Sequence, residues 1–165
     1  MGGARLLDLY AGSGAIGIEA LSRGAEAVVF VERAQPALKV LRANLERLGI
    51  AAGWSIESSS VAAYLKRAAG EEQRFDVVFL DPPYDAEEEY AATLGALGRN
   101  ESGLLAEGAV VIAEHRRKQK LEDRYGVLKR TRLLEQGDAA LSFYAAADSH
   151  NDAAANSSNE DAATD

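Results

Sequence analysis

The sequence predicts an α/β protein with one mostly parallel, seven-stranded sheet, an antiparallel last strand and helices on both faces. Short apolar runs without alternation recur along the chain, which is typical of strands covered on both sides. Segments with helical periodicity separate the first five runs, as in consecutive βαβ units. The last two runs flank Gln136-Gly137-Asp138, a sequence that indicates a hairpin and therefore an antiparallel final strand.

The predicted elements follow from apolar spacing and from glycines suited to helix ends. Gly24 and Gly49 come directly after helical runs, where glycine readily adopts the left-handed conformation of a C-cap. Phe75–Leu80 has five apolar residues in six, as expected of a central strand. We predict strands at Arg5–Tyr10, Ala27–Val31, Trp54–Glu57, Phe75–Leu80, Ala109–Glu114, Val127–Leu134 and Ala139–Tyr144. We predict a helical run after Gly17 to about Arg23, helices at Gln35–Leu48, Val61–Ala69 and Asp85–Leu97, and a loop at Gly103–Gly108.

Composition narrows the class of protein. A chain of 165 residues fits one domain, and it has no cysteine, which excludes disulfides, a thiol nucleophile and a cysteine-based metal site. Its two histidines, His115 and His150, are far apart in sequence, so we expect no metal. No apolar run approaches the roughly 20 residues that span a bilayer, and the start lacks the layout of a signal peptide. We therefore expect a cytoplasmic enzyme without a membrane partner.

Charge is unevenly distributed along the chain. The formal net charge is −8, yet eight of the 18 basic residues fall between Arg116 and Arg132. Residues 148–165 contain acids but no Lys or Arg, and they lack apolar periodicity, so we predict a domain over residues 1–147 and an acidic disordered tail over 148–165. The basic segment is compatible with phosphate contacts or with an ordinary solvated face. We expect His115 to be a solvated histidine at the sheet edge rather than a catalyst.

The turn after the first strand satisfies Gly-x-Gly-x-x-Gly with Gly12, Gly14 and Gly17. Without Cβ atoms, the backbone N–H groups and the helix amino end can lie directly against a ligand. Glu32 lies at the tip of the second strand, where a carboxylate can accept both hydroxyls of a ribose. Nucleotide-binding oxidoreductases share this glycine pattern, and a purely structural tight turn also satisfies it.

The fourth strand ends in Asp81-Pro82-Pro83-Tyr84. The two prolines fix φ and remove two backbone donors, so they hold the acid and the aromatic ring at a rigid rim. In open α/β sheets ligands bind at that edge, outside the carboxyl ends of the strands. An acid and free carbonyls can accept hydrogen bonds from an amino group, while the ring stacks on the planar system that carries it. A proline-rich turn without function is the alternative.

Together these stretches resemble Class I S-adenosylmethionine-dependent methyltransferases that act on planar amino nitrogens. Asp8 precedes Gly12 by four residues, as in their Asp-x-x-x-Gly-x-Gly motif, and Asp81-Pro82-Pro83-Tyr84 resembles their [Asp/Asn]-Pro-Pro-[Tyr/Phe] motif. Over roughly residues 4 to 145 the sequence is similar to the RsmD family, which methylates the exocyclic N2 of a guanine in small-subunit (16S) ribosomal RNA. The matching stretches are 7–25, Phe30-Val31-Glu32, Arg42-Ala43-Asn44-Leu45, 75–84 and Glu114-His115.

The resemblance implies a Rossmann-like Class I methyltransferase fold, S-adenosyl-L-methionine as cofactor, and ribosomal RNA or a small-subunit ribosomal particle as partner of a monomer. It implies that Asp81 and the Pro82 carbonyl, beside Pro83, receive the guanine amino hydrogens and that Tyr84 stacks on the base. Asp81 also borders the cofactor. The remaining cofactor-binding residues implied are Asp8, Tyr10, Ala11, Gly12, Ser13 and Gly14 around the methionine part, Glu32 at the ribose and Ser60 near the adenine.

Two departures from the family pattern leave the activity open. Ser60 stands where family members typically have an Asp near the adenine, and we expect the chain to lack the family's amino-terminal segment with RNA-holding basic residues before the first strand. The target could be a different planar amine, in DNA or in a protein amide. The chain could also be a nicotinamide-dependent oxidoreductase, or a cofactor-binding module that is inactive without the amino-terminal arm.

Overall fold

The structure is a computed structural model, and it describes residues 2–83, 86–99 and 103–147. Over these residues the chain forms one eight-stranded sheet in the order β3-β2-β1-β4-β5-β8-β7-β6. The sequence predicts seven strands. The additional strand is the two-residue β6, Arg124–Tyr125, which pairs with β7 and is too short to be recognised from the sequence. The predicted tail, residues 148–165, lies outside the described residues.

The helices and strands agree closely with the predicted ones. Their bounds are β1 Arg5–Leu9, α1 Ala15–Ser22, β2 Ala27–Val31, α2 Gln35–Arg47, β3 Trp54–Glu57, α3 Val61–Ala68, β4 Phe75–Leu80, α4 Glu88–Leu97, β5 Leu105–Arg116, β6 Arg124–Tyr125, β7 Leu128–Gln136 and β8 Ala139–Ala146.

Strand directions match the prediction of a parallel sheet with a reversed last strand. The four pairs among the first five strands, β1–β2, β1–β4, β2–β3 and β4–β5, are all parallel. Strand β8 runs antiparallel between β5 and β7, so β7 is again parallel to the first five. The parallel pairing brings the carboxyl ends of β1, β2, β4 and β5 to one edge of the sheet, and that edge contains the candidate site.

Helices cover both faces of the parallel part of the sheet. On one face, α1 and α2 pack Ile18, Leu41 and Leu45 against apolar residues of β1 and β2, among them Phe30. On the other face, α3 and α4 pack Tyr64, Leu65, Leu94 and Leu97 against β1, β2, β4 and β5. The continuous apolar strands predicted this arrangement, because each strand needs partners on both faces.

The prediction of a loop at Gly103–Gly108 is wrong in part. Strand β5 already begins at Leu105, which pairs with Phe75. The register then shifts, so that Val77 pairs with Val110, and Gly108 lies within this irregularity at φ 75°. A glycine that relieves a bulge inside a strand resembles a turn glycine in sequence, which explains the misassignment.

Candidate active site

A cavity of about 490 Å³ opens at the carboxyl edge of β1, β2 and β4. It combines residues that are distant in sequence but that the strand order brings together. Its lining consists of Tyr10, Gly12, Val31, Glu32, Arg33, Ala34, Ser59, Ser60, Val61, Ala62, Asp81, Pro83, Ala86 and Glu89. Five of the predicted cofactor-binding residues therefore line one cavity: Tyr10, Gly12, Glu32, Ser60 and Asp81.

The turn after β1 owes its shape to left-handed backbone conformations at Tyr10, Gly12 and Gly14, with φ of 59°, 57° and 83°. The Ala11 amide donates to the Val31 carbonyl at 3.0 Å, which ties the turn to the end of β2. Gly14 and Gly12 differ in the space that is available for a side chain. A Cβ on Gly14 would overlap Leu41, whereas a Cβ on Gly12 would meet no heavy atom within 4 Å. Gly14 is therefore required for packing, and Gly12 leaves open space at the cavity.

Ala11 and Ser13 complete this turn without lining the cavity. The Ser13 carbonyl accepts a hydrogen bond from the Asn44 amide of α2 at 3.1 Å. The Gly14 amide donates to the Ala11 carbonyl at 2.9 Å. The turn is thus fixed by backbone groups and by one helix side chain.

Asp8 lies behind the turn rather than in the cavity. Its side chain is buried, and Oδ2 accepts a hydrogen bond from the Gly17 amide at 3.2 Å, so the carboxylate secures the first turn of α1. Burial is the main cause that raises the pKa of Asp8 to about 7, and the charges of Asp81 and Glu32 add to it. Asp8 can act on a ligand through the turn and through its charge.

Glu32 is held in one orientation by backbone donors. Its Oε1 accepts from the Gly12 amide at 3.0 Å, and its Oε2 accepts from the Arg33 and Ala34 amides at 2.8 and 3.0 Å. The carboxylate therefore joins the glycine turn to the end of β2. One acceptor site, on Oε1, remains available to a hydroxyl group of a ligand.

Ser60 is the N-cap of α3, and its hydroxyl accepts from the Ala63 amide at 3.1 Å. Its hydroxyl hydrogen remains a donor. Ser60, which replaces the family's acid, therefore caps α3 and also lines the cavity.

Glu89 is a site residue that sequence reasoning missed. From the sequence it belongs only to an acidic amino end of α4, but its Oε2 accepts from the Tyr10 hydroxyl at 2.7 Å, and it lines the cavity. The same hydroxyl lies 2.8 Å from Thr93 Oγ1. Burial and then Glu89 raise the pKa of Tyr10, so its hydroxyl stays protonated. Only the tertiary approach of α4 to β1 brings these residues together.

Asp81 lies at the end of β4, with Pro82 buried and Pro83 exposed beside it. Partial desolvation, followed by the charge of the neighbouring Glu114 carboxyl, raises the pKa of Asp81 to about 6. Tyr84, the predicted stacking residue, lies outside the described residues. Asp81 and Pro83 line the mouth of the cavity, at the edge of the sheet where the sequence predicted the rim.

A second groove, of about 770 Å³, lies on the other side of Asp81. It is lined by Asp81, Tyr90, Glu114, His115, Arg116, Arg117, Lys118, Lys120, Gly137, Asp138 and Ala139. Four of these side chains are cationic, in a chain with a net charge of −8. Arg117 pairs with Glu135 at 3.0 Å, whereas Lys118 and Lys120 are exposed and make no ion pair within the part of the chain that the structure describes.

His115 is not the solvated residue that the sequence predicts. It is 6% exposed, because β5 continues past it and pairs with β8. Its Nδ1 lies 2.8 Å from the Arg116 carbonyl, and its Nε2 lies 2.8 Å from Ser142 Oγ. A neutral imidazole that donates from Nδ1 and accepts at Nε2 satisfies both contacts. The ring therefore anchors the start of the basic turn at 116–120.

The strand order, the glycine turn after β1 and the Asp-Pro-Pro rim after β4 define a Class I methyltransferase domain. A family model described as "Conserved hypothetical protein 95" matches residues 1–145. The chain belongs to this family, which is the RsmD family that the sequence resembles. The prediction of family and fold class is thereby confirmed.

Two curated relatives carry names that state an activity. The protein named "Putative rRNA methyltransferase YlbH" from Bacillus subtilis is 37% identical over 142 residues, which are 86% of this chain and 76% of that protein. Ribosomal RNA small subunit methyltransferase D from Haemophilus influenzae is 40% identical over 79 residues, 47% of this chain and 40% of that protein.

Solved structures show the same fold. A conserved hypothetical protein from Streptococcus pyogenes superimposes with a TM-score of 0.79 at 31% identity, covering 91% of this chain and 89% of that chain. A more distant methyltransferase, solved in complex with SAH, has a TM-score of 0.70 at 16% identity. The superposition covers 87% of this chain and 45% of the methyltransferase chain, and at this identity it shows the fold alone.

Membrane spans and metal clusters are both absent from the described part of the chain. Among the described helices, none is long and apolar enough to cross a bilayer. Within residues 2–83, 86–99 and 103–147, no group of three or more His, Asp or Glu side chains is placed to hold a metal ion.

Proposed function

We propose that this protein transfers a methyl group from S-adenosylmethionine to the exocyclic N2 of a guanine in small-subunit ribosomal RNA. One observation carries the proposal: Asp81 borders both the acid-lined cavity and the basic groove. A transferase needs such a junction, because the two reacting molecules must meet at one point. The names of the relatives support ribosomal RNA as the substrate.

The donor set of the cavity fits S-adenosylmethionine. Carboxylates of Glu32, Asp81 and Glu89 line it, and Asp8 lies behind the turn, which suits a ligand that carries a sulfonium and an ammonium group. The open space at Gly12 leaves room for close approach of the ligand to the backbone. We assign the methionine part to the turn at 10–14, the ribose to Glu32 and the adenine to Ser60.

The basic groove suits an RNA strand. Phosphates attract Lys and Arg side chains without regard to sequence, and the four cations at 116–120 lie beside the residue that must meet the target amine. A base must leave its stack to reach the rim, since RNA is read most readily at unstacked nucleotides. We assign Tyr84 to stacking on that base. The enzyme would act in the cytoplasm as a monomer.

At the rim, Asp81 and the Pro82 carbonyl orient the amine. The N2 lone pair of guanine is delocalised into the ring, so acceptors that bind both amino hydrogens stabilise the positive charge that develops on nitrogen. When bound, S-adenosylmethionine supplies a methyl group whose carbon–sulfur bond breaks with its electron pair going to sulfur. As the new nitrogen–carbon bond forms, N2 loses one proton, and Asp81, whose pKa is about 6, is the base beside it.

The test is the identity of the methylated nucleoside. The protein is incubated with small-subunit particles from a strain that lacks this modification and with isotopically labelled S-adenosylmethionine. Mass spectrometry of the digested RNA should show labelled N2-methylguanosine. Large-subunit particles, DNA and total protein are the control acceptors.

Each competing function has its own outcome. Labelled N6-methyladenosine, a methylated cytosine or labelled protein would overturn the substrate assignment. Calorimetric titration with S-adenosylhomocysteine, and with NAD as control, tests the cofactor separately. Affinity for NAD alone would overturn the methyltransferase assignment. Binding of S-adenosylhomocysteine without transfer to any acceptor would favour the module that requires an amino-terminal arm.

A further inference from the structure

The register of the sheet places Glu114 next to Asp81. Leu80 of β4 pairs in parallel with Ala113 of β5, so Asp81 and Glu114 are the next residues on adjacent strands. Neighbouring strands are about 4.8 Å apart, which puts the two carboxyl side chains side by side. Both line the basic groove, and Asp81 also borders the cofactor cavity.

Glu114 is held in place from three directions. It pairs with Leu141 of β8 in the antiparallel ladder. Its backbone carbonyl accepts a hydrogen bond from the Tyr90 hydroxyl at 2.7 Å. The next residue, His115, is buried and bonded to Ser142. The Glu114 side chain is half-buried at the groove, so its position beside Asp81 is set by the fold rather than by chance contact at the surface.

Two adjacent carboxylates match one edge of guanine and mismatch the corresponding edge of adenine. Next to its amino group N2, guanine presents N1–H, so this edge offers two donors side by side. Next to N6, adenine presents N1 as an acceptor, whose lone pair would face a carboxylate. A base that lacks the complementary donor leaves a polar group of the site without its hydrogen bond, which makes such pairs strongly discriminating.

We propose that Glu114 is a specificity-determining residue that accepts the guanine N1–H while Asp81 accepts an N2–H. This assignment rests on the proposed function and deepens it, because it explains why guanine rather than adenine would be methylated by an Asp-Pro-Pro rim. Glu114 and Asp81 then read the base together. Their proximity also couples them, since the charge of Glu114 and a side-chain hydrogen bond between the two carboxyls both raise the pKa of Asp81. The guanine N1–H and N2–H would take the place of the proton in that bond.

The test compares Glu114→Gln with Glu107→Gln, an exposed glutamate on the same strand that lines neither groove. Each variant and the wild type is incubated with unmodified small-subunit particles and with a pool of random-sequence single-stranded RNA. A glutamine amide can donate to adenine N1, and its neutral oxygen accepts guanine N1–H less strongly than a carboxylate does. For Glu114→Gln we expect N2-methylguanosine formation to fall about tenfold and the ratio of N6-methyladenosine to N2-methylguanosine in the pool to rise about tenfold. Affinity for S-adenosylhomocysteine should stay unchanged.

A pH profile adds a measurement that a purely structural role would not move. Asp81 must be ionised to accept the amine, so wild-type kcat/KM should fall as the pH drops through about 6. Removing the neighbouring charge lowers the pKa of Asp81, and the acidic limb of Glu114→Gln should move to lower pH.

The outcomes separate this inference from the function on which it rests. If the wild type forms no N2-methylguanosine, the proposed function fails. If it does, and Glu114→Gln matches Glu107→Gln in rate, product ratio and acidic limb, the role of Glu114 alone is overturned. A Glu114→Gln protein that has lost S-adenosylhomocysteine binding would equally count against a role confined to the base.

Discussion

The two sides of Asp81 are built in different ways. On the side where we propose that the cofactor binds, backbone amides of Gly12, Arg33 and Ala34 donate hydrogen bonds to the Glu32 carboxylate and hold it in place. On the proposed substrate side, the groove is lined by exposed Lys and Arg side chains of a turn that His115 anchors. The first construction fixes one ligand geometry. The second attracts an extended anion and tolerates variation in how it lies.

The largest expected effect comes from the residue that the two sides share. Replacing Asp81 with Asn removes the carboxylate but keeps its size, and we expect turnover to fall about a thousandfold because an acceptor aimed at developing charge is lost. Affinity for S-adenosylhomocysteine should stay nearly intact, since the turn at 10–14 and Glu32 do not depend on Asp81. Single-turnover kinetics and calorimetry measure the two quantities.

Asp138→Asn is the matched control, because Asp138 is an exposed acid that lines the same basic groove away from the rim. It should retain turnover. Parallel losses of turnover and cofactor affinity in Asp81→Asn would show that the two sides are not separable at this residue.

A second prediction tests the rigidity of the cofactor side. Gly14→Ala introduces a Cβ that overlaps Leu41, at a residue with φ 83°. We expect a loss of about 3 kcal/mol in the free energy of unfolding, from overpacking together with backbone strain. Chemical denaturation with S-adenosylhomocysteine present and absent measures this loss and the accompanying loss of cofactor affinity.

Gly137→Ala separates strain from overlap. Gly137 has φ 59° at the tip of the β7–β8 hairpin, and a Cβ there meets no heavy atom within 4 Å. It should cost about 1 kcal/mol, the strain alone. Equal losses in the two variants would mean that α2 yields to the new methyl group and that the turn is less tightly packed than its contacts indicate.

The difference between the two sides of Asp81 also explains which parts of the site could be predicted from the sequence. The cofactor side is mostly local, so Gly12, Gly14 and Glu32 could be placed from the spacing of one βαβ unit. Glu89 belongs to α4, which approaches the site only in the tertiary fold. Glu114 ends a predicted strand at the same edge, but the sequence does not show that β5 pairs with β4 and so brings Glu114 next to Asp81. The prediction for His115 is wrong because its burial depends on the pairing of β5 with β8, a strand that lies far downstream.

A third prediction addresses the substrate side alone. Lys118→Ala/Lys120→Ala removes two cations that are free of ion pairs among the described residues, and it should weaken RNA affinity about tenfold at low salt, roughly 1.4 kcal/mol. The slope of log affinity against log salt should become shallower by about 1.4, because two fewer phosphates of a single strand are neutralised. Binding of S-adenosylhomocysteine should not change.

Lys39→Ala/Lys66→Ala is the control, with two exposed lysines removed from α2 and α3, outside the basic groove. It leaves the same net charge. If both double variants weaken RNA binding equally, the effect comes from overall charge, and the basic groove has no special part in substrate binding.

The last prediction concerns Asp8, behind the glycine turn. Burial raises its pKa from 3.8 to about 7, so the folded state holds the proton more tightly than the unfolded chain does. The stability that this contributes is fully present below about pH 4 and is lost as the pH rises through 7. Asp8→Asn keeps an acceptor for the Gly17 amide and cannot ionise. Its free energy of unfolding should therefore exceed that of the wild type increasingly from pH 4 to 8, by up to about 4 kcal/mol at the upper end, because a pKa raised from 3.8 to about 7 corresponds to about 1.4 kcal/mol per pH unit.

The Asp8 carboxylate also offers a negative charge to a cationic cofactor. A bound sulfonium should lower the pKa of Asp8, so cofactor affinity of the wild type should rise with pH through about 7, and that rise should be absent in Asp8→Asn. Thermal melts and calorimetry over the same pH series give both results. A pH-independent difference in stability would mean that Asp8 is already ionised in the folded protein. The turn would then depend on a buried charge rather than on a hydrogen bond that either protonation state can accept.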